Sequence, residues 1–193
     1  MSPITMFFIS FLYALTLISF ATATNITNAQ IVTVIKSSCD GALYRNTCVD
    51  ALSDYSYFIR KYHSKTQMGK LMIAIAMKAT YKTQKIVNQN LASTLSNSNK
   101  NIKDCNIHMS SSYSNLNSSL TEVRNIMGHP NSQMYNFRKS NVMTWLSSAL
   151  TDAYDCNDVL SDIHTGNIRN RIRALVKLAT EMISSSLAVC SKL

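Results

Sequence analysis

The sequence predicts an all-α protein: an up-down four-helix bundle, disulfide-linked, with a short N-terminal extension. Three observations point there. Glycine and proline are scarce, four and two in 193 residues; sheets need frequent turns, and turns draw on both. Four long stretches carry apolar residues at helical spacing, separated by short polar breaks. Five cysteines follow an apolar leader, in a chain whose 46% hydrophobic content is enough for a core.

Residues 1–23 read as a signal peptide. The opening MSPITMFFISFLYALTLISFATATN holds no charged side chain, and Ala21 and Ala23 form an A-x-A site that places cleavage before Thr24. A membrane anchor is the competing reading, but no basic cluster flanks the run to hold it. No later segment is long and apolar enough to span a bilayer. Residues 24–193 are then one domain, with 24–63 as the extension and 64–193 as the bundle. Secretion makes disulfides the default for Cys39, Cys48, Cys105, Cys156 and Cys190. Four can pair and one is left over. No CxxC or HxxxH spacing offers a metal site, and no cofactor is expected. The sequons at Asn25 and Asn117 are glycosylation candidates in the same compartment.

In the extension, Cys39 and Cys48 bound a ten-residue segment. A disulfide there would staple two short helical turns, worth about 2–3 kcal/mol in the chain-entropy model. Val49, Leu52, Tyr55, Phe58 and Ile59 then recur at helical spacing. The first long helix is expected over 65–97, with an unbroken apolar centre from Leu71 to Met77. Its Lys78, Lys82 and Lys85 fall within a ~60° sector, a solvated stripe. The second, about 100–127, aligns Ile102, Cys105, Met109, Leu116, Leu120 and Val123, and Gly128-His129-Pro130 stops it. The third is expected over 132–164. The fourth, 168–189, places Ile172, Leu175, Leu178, Ala179, Met182, Ile183 and Leu187 on one face.

On the third helix, Val142, Trp145, Ala149, Cys156, Val159 and Leu160 point one way, which makes Trp145 a core residue. Thr144, Ser148, Thr151, Asp152, Asp155 and Asp158 point roughly the other. Cys156 thus faces the core, where Cys105 of the antiparallel neighbour could reach it. A bridge between them would close about fifty residues, for about 4 kcal/mol. The outer face is small, polar and acidic: either a solvated surface or a docking stripe for a basic partner, since short hydroxyls allow close approach and carboxylates steer it.

Here the chain resembles the plant invertase and pectin methylesterase inhibitors. The residues that carry the resemblance are the leader, the Cys39/Cys48 pair, Asp104-Cys105 on the second long helix, and Trp145-Leu146-Ser147-Ser148-Ala149-Leu150-Thr151 before Cys156. Ile183-Ser184-Ser185-Ser186-Leu187-Ala188-Val189 looks like the family's closing Ser-Asn-Ala-Leu-Ala. The resemblance implies a disulfide-linked four-helix bundle with an N-terminal helical hairpin, paired Cys39–Cys48 and Cys105–Cys156, with Cys190 a free thiol. It implies a non-enzyme that binds a cell-wall enzyme one-to-one over its active-site cleft. The WLSSALT run favours the pectin methylesterase branch, and the Pro-Lys-Phe motif of invertase inhibitors is absent. The chain departs from the family after Asp104-Cys105, where Asn106-Ile107-His108 replaces the usual Glu-Leu-Tyr.

The function expected is therefore a secreted inhibitor of pectin methylesterase in the cell wall or apoplast, with invertase as the alternative target. Ser148, Thr151, Asp155 and Asp158 are the expected partner-binding residues, with Ser111 and Ser114 beside them. A reading of another class starts from the net charge of +9. Lys65, Lys78, Lys82, Lys85, Arg169, Arg171, Arg173 and Lys177 could form a basic face that binds demethylated pectin. Nucleic acid is not an expected partner of a secreted chain. Catalysis is disfavoured: His63, His108, His129 and His164 are dispersed, and no nucleophile elbow or phosphate loop is present.

Overall fold

The computed structural model describes residues 25–91, 98–126, 130, 132–161 and 167–193. The expected signal peptide, 1–23, lies outside them, as do His129 and His164. Seven helices make up the described chain: α1 (Asn28–Ser38), α2 (Arg45–Ser53), α3 (Ser56–Lys61), α4 (Lys65–Leu91), α5 (Ser98–Arg124), α6 (Gln133–Ser161) and α7 (Asn167–Cys190). The chain is all-α, as the spacing predicts.

The four long helices close a ring in chain order. α5 packs most intimately on α6, α4 lies against both α5 and α7, and α6 completes the ring with α7. The buried line of α6 runs through Val142, Leu146, Ala149, Ala153, Cys156 and Leu160, steps of three and four residues that keep one side inward. It meets Cys105, Met109, Leu116 and Val123 of α5 and Ile172, Val176, Ala179 and Ile183 of α7, all fully buried. Two expectations fail here. Trp145 is 38% exposed and Leu178 42% exposed. Each sits one residue, or about 100° of helix, from a position that the core uses, Leu146 and Ala179.

Small hydroxyls let α5 and α6 approach. Ser112 Oγ donates to the Ala149 carbonyl at 2.9 Å and Ser119 Oγ to the Val142 carbonyl at 3.3 Å, both buried. A disulfide joins Cys105 to Cys156 on the same seam.

The hairpin docks by its apolar side. Ile31, Ile35, Leu52 and Ile59 pack with Met68 and Met72 of α4 and Val189 of α7. Thr27 opens α1 with a capping box: its hydroxyl accepts from Gln30 N at 3.3 Å, and Gln30 Oε1 accepts from Thr27 N at 2.8 Å. Lys192 donates to the carbonyls of Ser37 and Ser38 at the other end of α1, where free carbonyls favour a cation. Between α1 and α2 the chain reverses inside the Cys39–Cys48 disulfide, and Gly41 takes φ 78° there, a value that a Cβ disfavours. Cys190 is a free thiol, fully buried against Gly69, where an added Cβ would meet its Sγ at 3.2 Å.

Candidate protein-docking ridge on helices α5 and α6

The pairs Cys105–Cys156, Ser112–Ala149 and Ser119–Val142 fix the antiparallel register of α5 against α6. In that register Ser111 stands level with Thr151, and Ser114 with Ser148. Ser111, Ser114, Thr151 and Asp158 are exposed, while Ser148 and Asp155 are half-buried. The six residues expected from sequence thus share the outward side of one helix pair. From Trp145 to Asp158 the strip on α6 runs about 20 Å at 1.5 Å per residue.

The carboxylates on this strip differ in their surroundings. Asp152 Oδ2 accepts from Asn115 Nδ2 at 2.8 Å across the seam. Asp155 Oδ2 lies 3.8 Å from His108 Nδ1. Asp158 has no side-chain partner among the described residues; only its backbone carbonyl is engaged, by Ser161 Oγ at 2.6 Å. The Thr151 hydroxyl donates to the Ser147 carbonyl at 3.2 Å and keeps lone pairs for an outside donor. At the far end Arg138 and Glu122 close the seam with an ion pair at 3.0 Å.

His108, Asp152 and Asp155 bring one ligand atom each within 4.8 Å of one another, so these three could hold a cation. The donors come from two helices, which is why no spacing along the sequence announces them. Asp152 is already held by Asn115, and His108 and Asp155 lie at ion-pair distance.

Sequence reasoning missed the apolar part of the ridge. Ile107 is 55% exposed one turn before Ser111, and Trp145 flanks Ser148. Met134 and Phe137, also exposed, continue the Trp145 side of α6 toward its N-terminus. The signal available was the unusual cost of leaving such residues in water, which single exposed side chains do not announce.

The basic residues are distributed. Arg173 and Lys177 line a groove with Tyr44 and Tyr154. Lys85 borders a hollow with Tyr81, and Lys65 another with Lys192.

The profile of the plant invertase/pectin methylesterase inhibitor family matches residues 33–189. The chain belongs to that family. The family is described as one of inhibitors, and the chain is not read as an enzyme. Among its relatives is pectinesterase inhibitor 11 of Arabidopsis thaliana, 25% identical over 91% of this chain and 87% of the relative. Pectinesterase inhibitor 9 of the same plant is 29% identical over 82% and 79% of the two chains. A 21 kDa protein of Daucus carota is 27% identical over 80% of each. A crystal structure of a mutant pectin methylesterase inhibitor from Arabidopsis shares the fold, with TM-score 0.64 at 13% identity, over 82% of this chain and 96% of that one. That structure shows that the chain shares its helical fold with a solved inhibitor.

Proposed function

We propose that this inhibitor-family chain binds pectin methylesterase one-to-one and covers its active-site cleft with the α5–α6 ridge. The observation that carries this reading is the joint presentation of Ser111, Ser114, Ser148, Thr151, Asp155 and Asp158 on one rigid, disulfide-pinned helix pair, beside exposed Trp145 and Ile107. Protein interfaces draw affinity from a few aromatic anchors and register from polar and charged groups around them. The names of the relatives supply the target. The apolar leader and the paired cysteines support secretion to the cell wall, and no described helix is long and apolar enough to cross a membrane. Asn25 and Asn117 are both exposed and are the proposed glycan acceptors.

The test is hydrolysis of pectin methyl esters by pectin methylesterase with the secreted protein in molar excess, from acidic to neutral pH. Stoichiometric loss of activity is expected at some pH in that range. Full activity throughout would remove the reading. Invertase is the second target, because the family's description includes it and one scaffold serves both; a parallel titration against invertase separates them. Direct binding of demethylated pectin by basic residues is compatible with either.

A further inference from the structure

We propose that the groove between α6 and α7 is a binding site for uronate sugars, acidic oligosaccharides whose rings carry free carboxylates. The groove encloses about 420 Å³, within the range of small-ligand sites. Two cations one turn apart on α7, Arg173 and Lys177, lie on one wall. Asn157 of α6 and Asn170 of α7 add amides, and Tyr44 and Tyr154 add two phenols. No carboxylate lines it among the described residues. Arg173 has no ion-pair partner among them, and Lys177 only touches Glu181 at 4.0 Å, a carboxylate already accepting from Thr47 Oγ1 at 2.9 Å.

Each wall suits a different part of one ligand. The guanidinium fork of Arg173 matches a carboxylate, and Lys177 offers a second charge for a neighbouring one. The amides and phenols can exchange hydrogen bonds with ring hydroxyls. Tyrosine gives an apolar ring face beside a polar tip, as a sugar ring requires. Burial, then the charge and the hydrogen bond of the adjacent Tyr44, raise the Tyr154 pKa, so the two phenols stand as a pair on this wall. A bare inorganic anion would use the cations and leave the amides and phenols idle. At the Lys78, Lys82 and Lys85 stripe of α4, the hollow beside Lys85 also has a phenol and amides, Tyr81, Gln84, Asn88 and Gln89, but only one cation, so it offers no second charge for a neighbouring carboxylate. This site uses none of the six ridge residues and does not depend on the enzyme that the ridge meets.

The experiment is calorimetric titration of the folded protein with trigalacturonate, its fully methyl-esterified form, and inorganic phosphate. No enzyme is present, so its outcome is separate from that of the inhibition assay. Saturable binding of the free acid is expected, with the ester and Arg173→Gln/Lys177→Gln each weaker by roughly tenfold or more, the scale of one lost charged hydrogen bond. Lys78→Gln/Lys82→Gln/Lys85→Gln removes more charge and is expected to stay within about twofold, as diffuse surface charge is screened by salt. Asn170→Ala, at an exposed helical position, is a second variant that preserves the fold and is expected to weaken binding by roughly threefold or more. Equal losses in the α4 and α7 variants, phosphate competing as well as the trimer, or no saturable binding by the parent protein would each overturn the proposal.

Discussion

Asp158 and Asp155 stand one turn apart on α6 and differ in what they already hold. Asp155 faces His108 at 3.8 Å, while Asp158 has no side-chain partner among the described residues. A free carboxylate gives up only water when it meets a partner's cation, whereas an engaged one must also surrender an internal contact. Asp158→Asn is therefore expected to weaken enzyme inhibition by roughly tenfold, and Asp155→Asn by less. Inhibition constants of the two variants measured side by side check the order. Trp145→Ala should cost at least as much as Asp158→Asn, since tryptophan is among the residues enriched at the hot spots of protein interfaces. Unchanged thermal stability would show that the loss belongs to docking.

Cys190 gives a pH prediction. Burial raises its thiol from 9.0 to about 12. The unfolded chain thus ionises this group first, and its contribution to stability, whole below pH 9, is lost as pH rises toward 12. Cys190→Ala should flatten the alkaline fall in the urea midpoint over that window. In the native protein the thiol should resist a disulfide reagent, and in denaturant one thiol per chain should react.

Trp145 and Leu178 show why residue-level burial is only partly legible in sequence. A helical wheel ranks positions by angle, but the direction of the core is set by which neighbours the helix meets. An error of one residue, about 100°, moves a large side chain from the core to its rim. The outward placement of Ser148, Thr151, Asp155 and Asp158 was legible, because four polar residues at steps of three and four leave no choice of face.

At the scale of elements, the Cys105–Cys156 bridge is the main constraint on the ridge. It spans 51 residues, against 9 for Cys39–Cys48. Chain entropy makes it worth about 4 kcal/mol against about 2–3 for the hairpin bridge. Calorimetry of Cys105→Ala/Cys156→Ala should show a fall in Tm of roughly 8–16 °C, larger than that of Cys39→Ala/Cys48→Ala. The opposite order would mean that the hairpin, not the α5–α6 seam, holds the fold. Four helices were legible from periodicity and from stops such as Gly128-His129-Pro130, and their bounds agree within a few residues wherever the chain is described. The cross-seam pairs His108–Asp155 and Asn115–Asp152 were not. They depend on the register between two helices, which Ser112 and Ser119 set through backbone carbonyls, and no spacing within one helix encodes it.

At the scale of the molecule, three carboxylates stand close together within two turns of α6. The chain is basic, at +9, yet three of its ten acidic residues, Asp152, Asp155 and Asp158, stand on the ridge. Such an arrangement steers a partner with a basic face toward one side of the bundle. The association rate with the enzyme is expected to fall as salt rises, and to lose most of that dependence in Asp155→Asn/Asp158→Asn. Stopped-flow measurement at two ionic strengths reads this directly.

The central claim is that the outward side of α5 and α6 meets the enzyme. Its most direct test is a titration of pectin methylesterase activity with the parent protein and with Trp145→Ala/Asp155→Asn/Asp158→Asn, both verified as folded by calorimetry. The parent should reach its endpoint at one equivalent, and the triple variant should need roughly a hundredfold more protein to inhibit equally. Superimposable curves would contradict the assignment of the ridge.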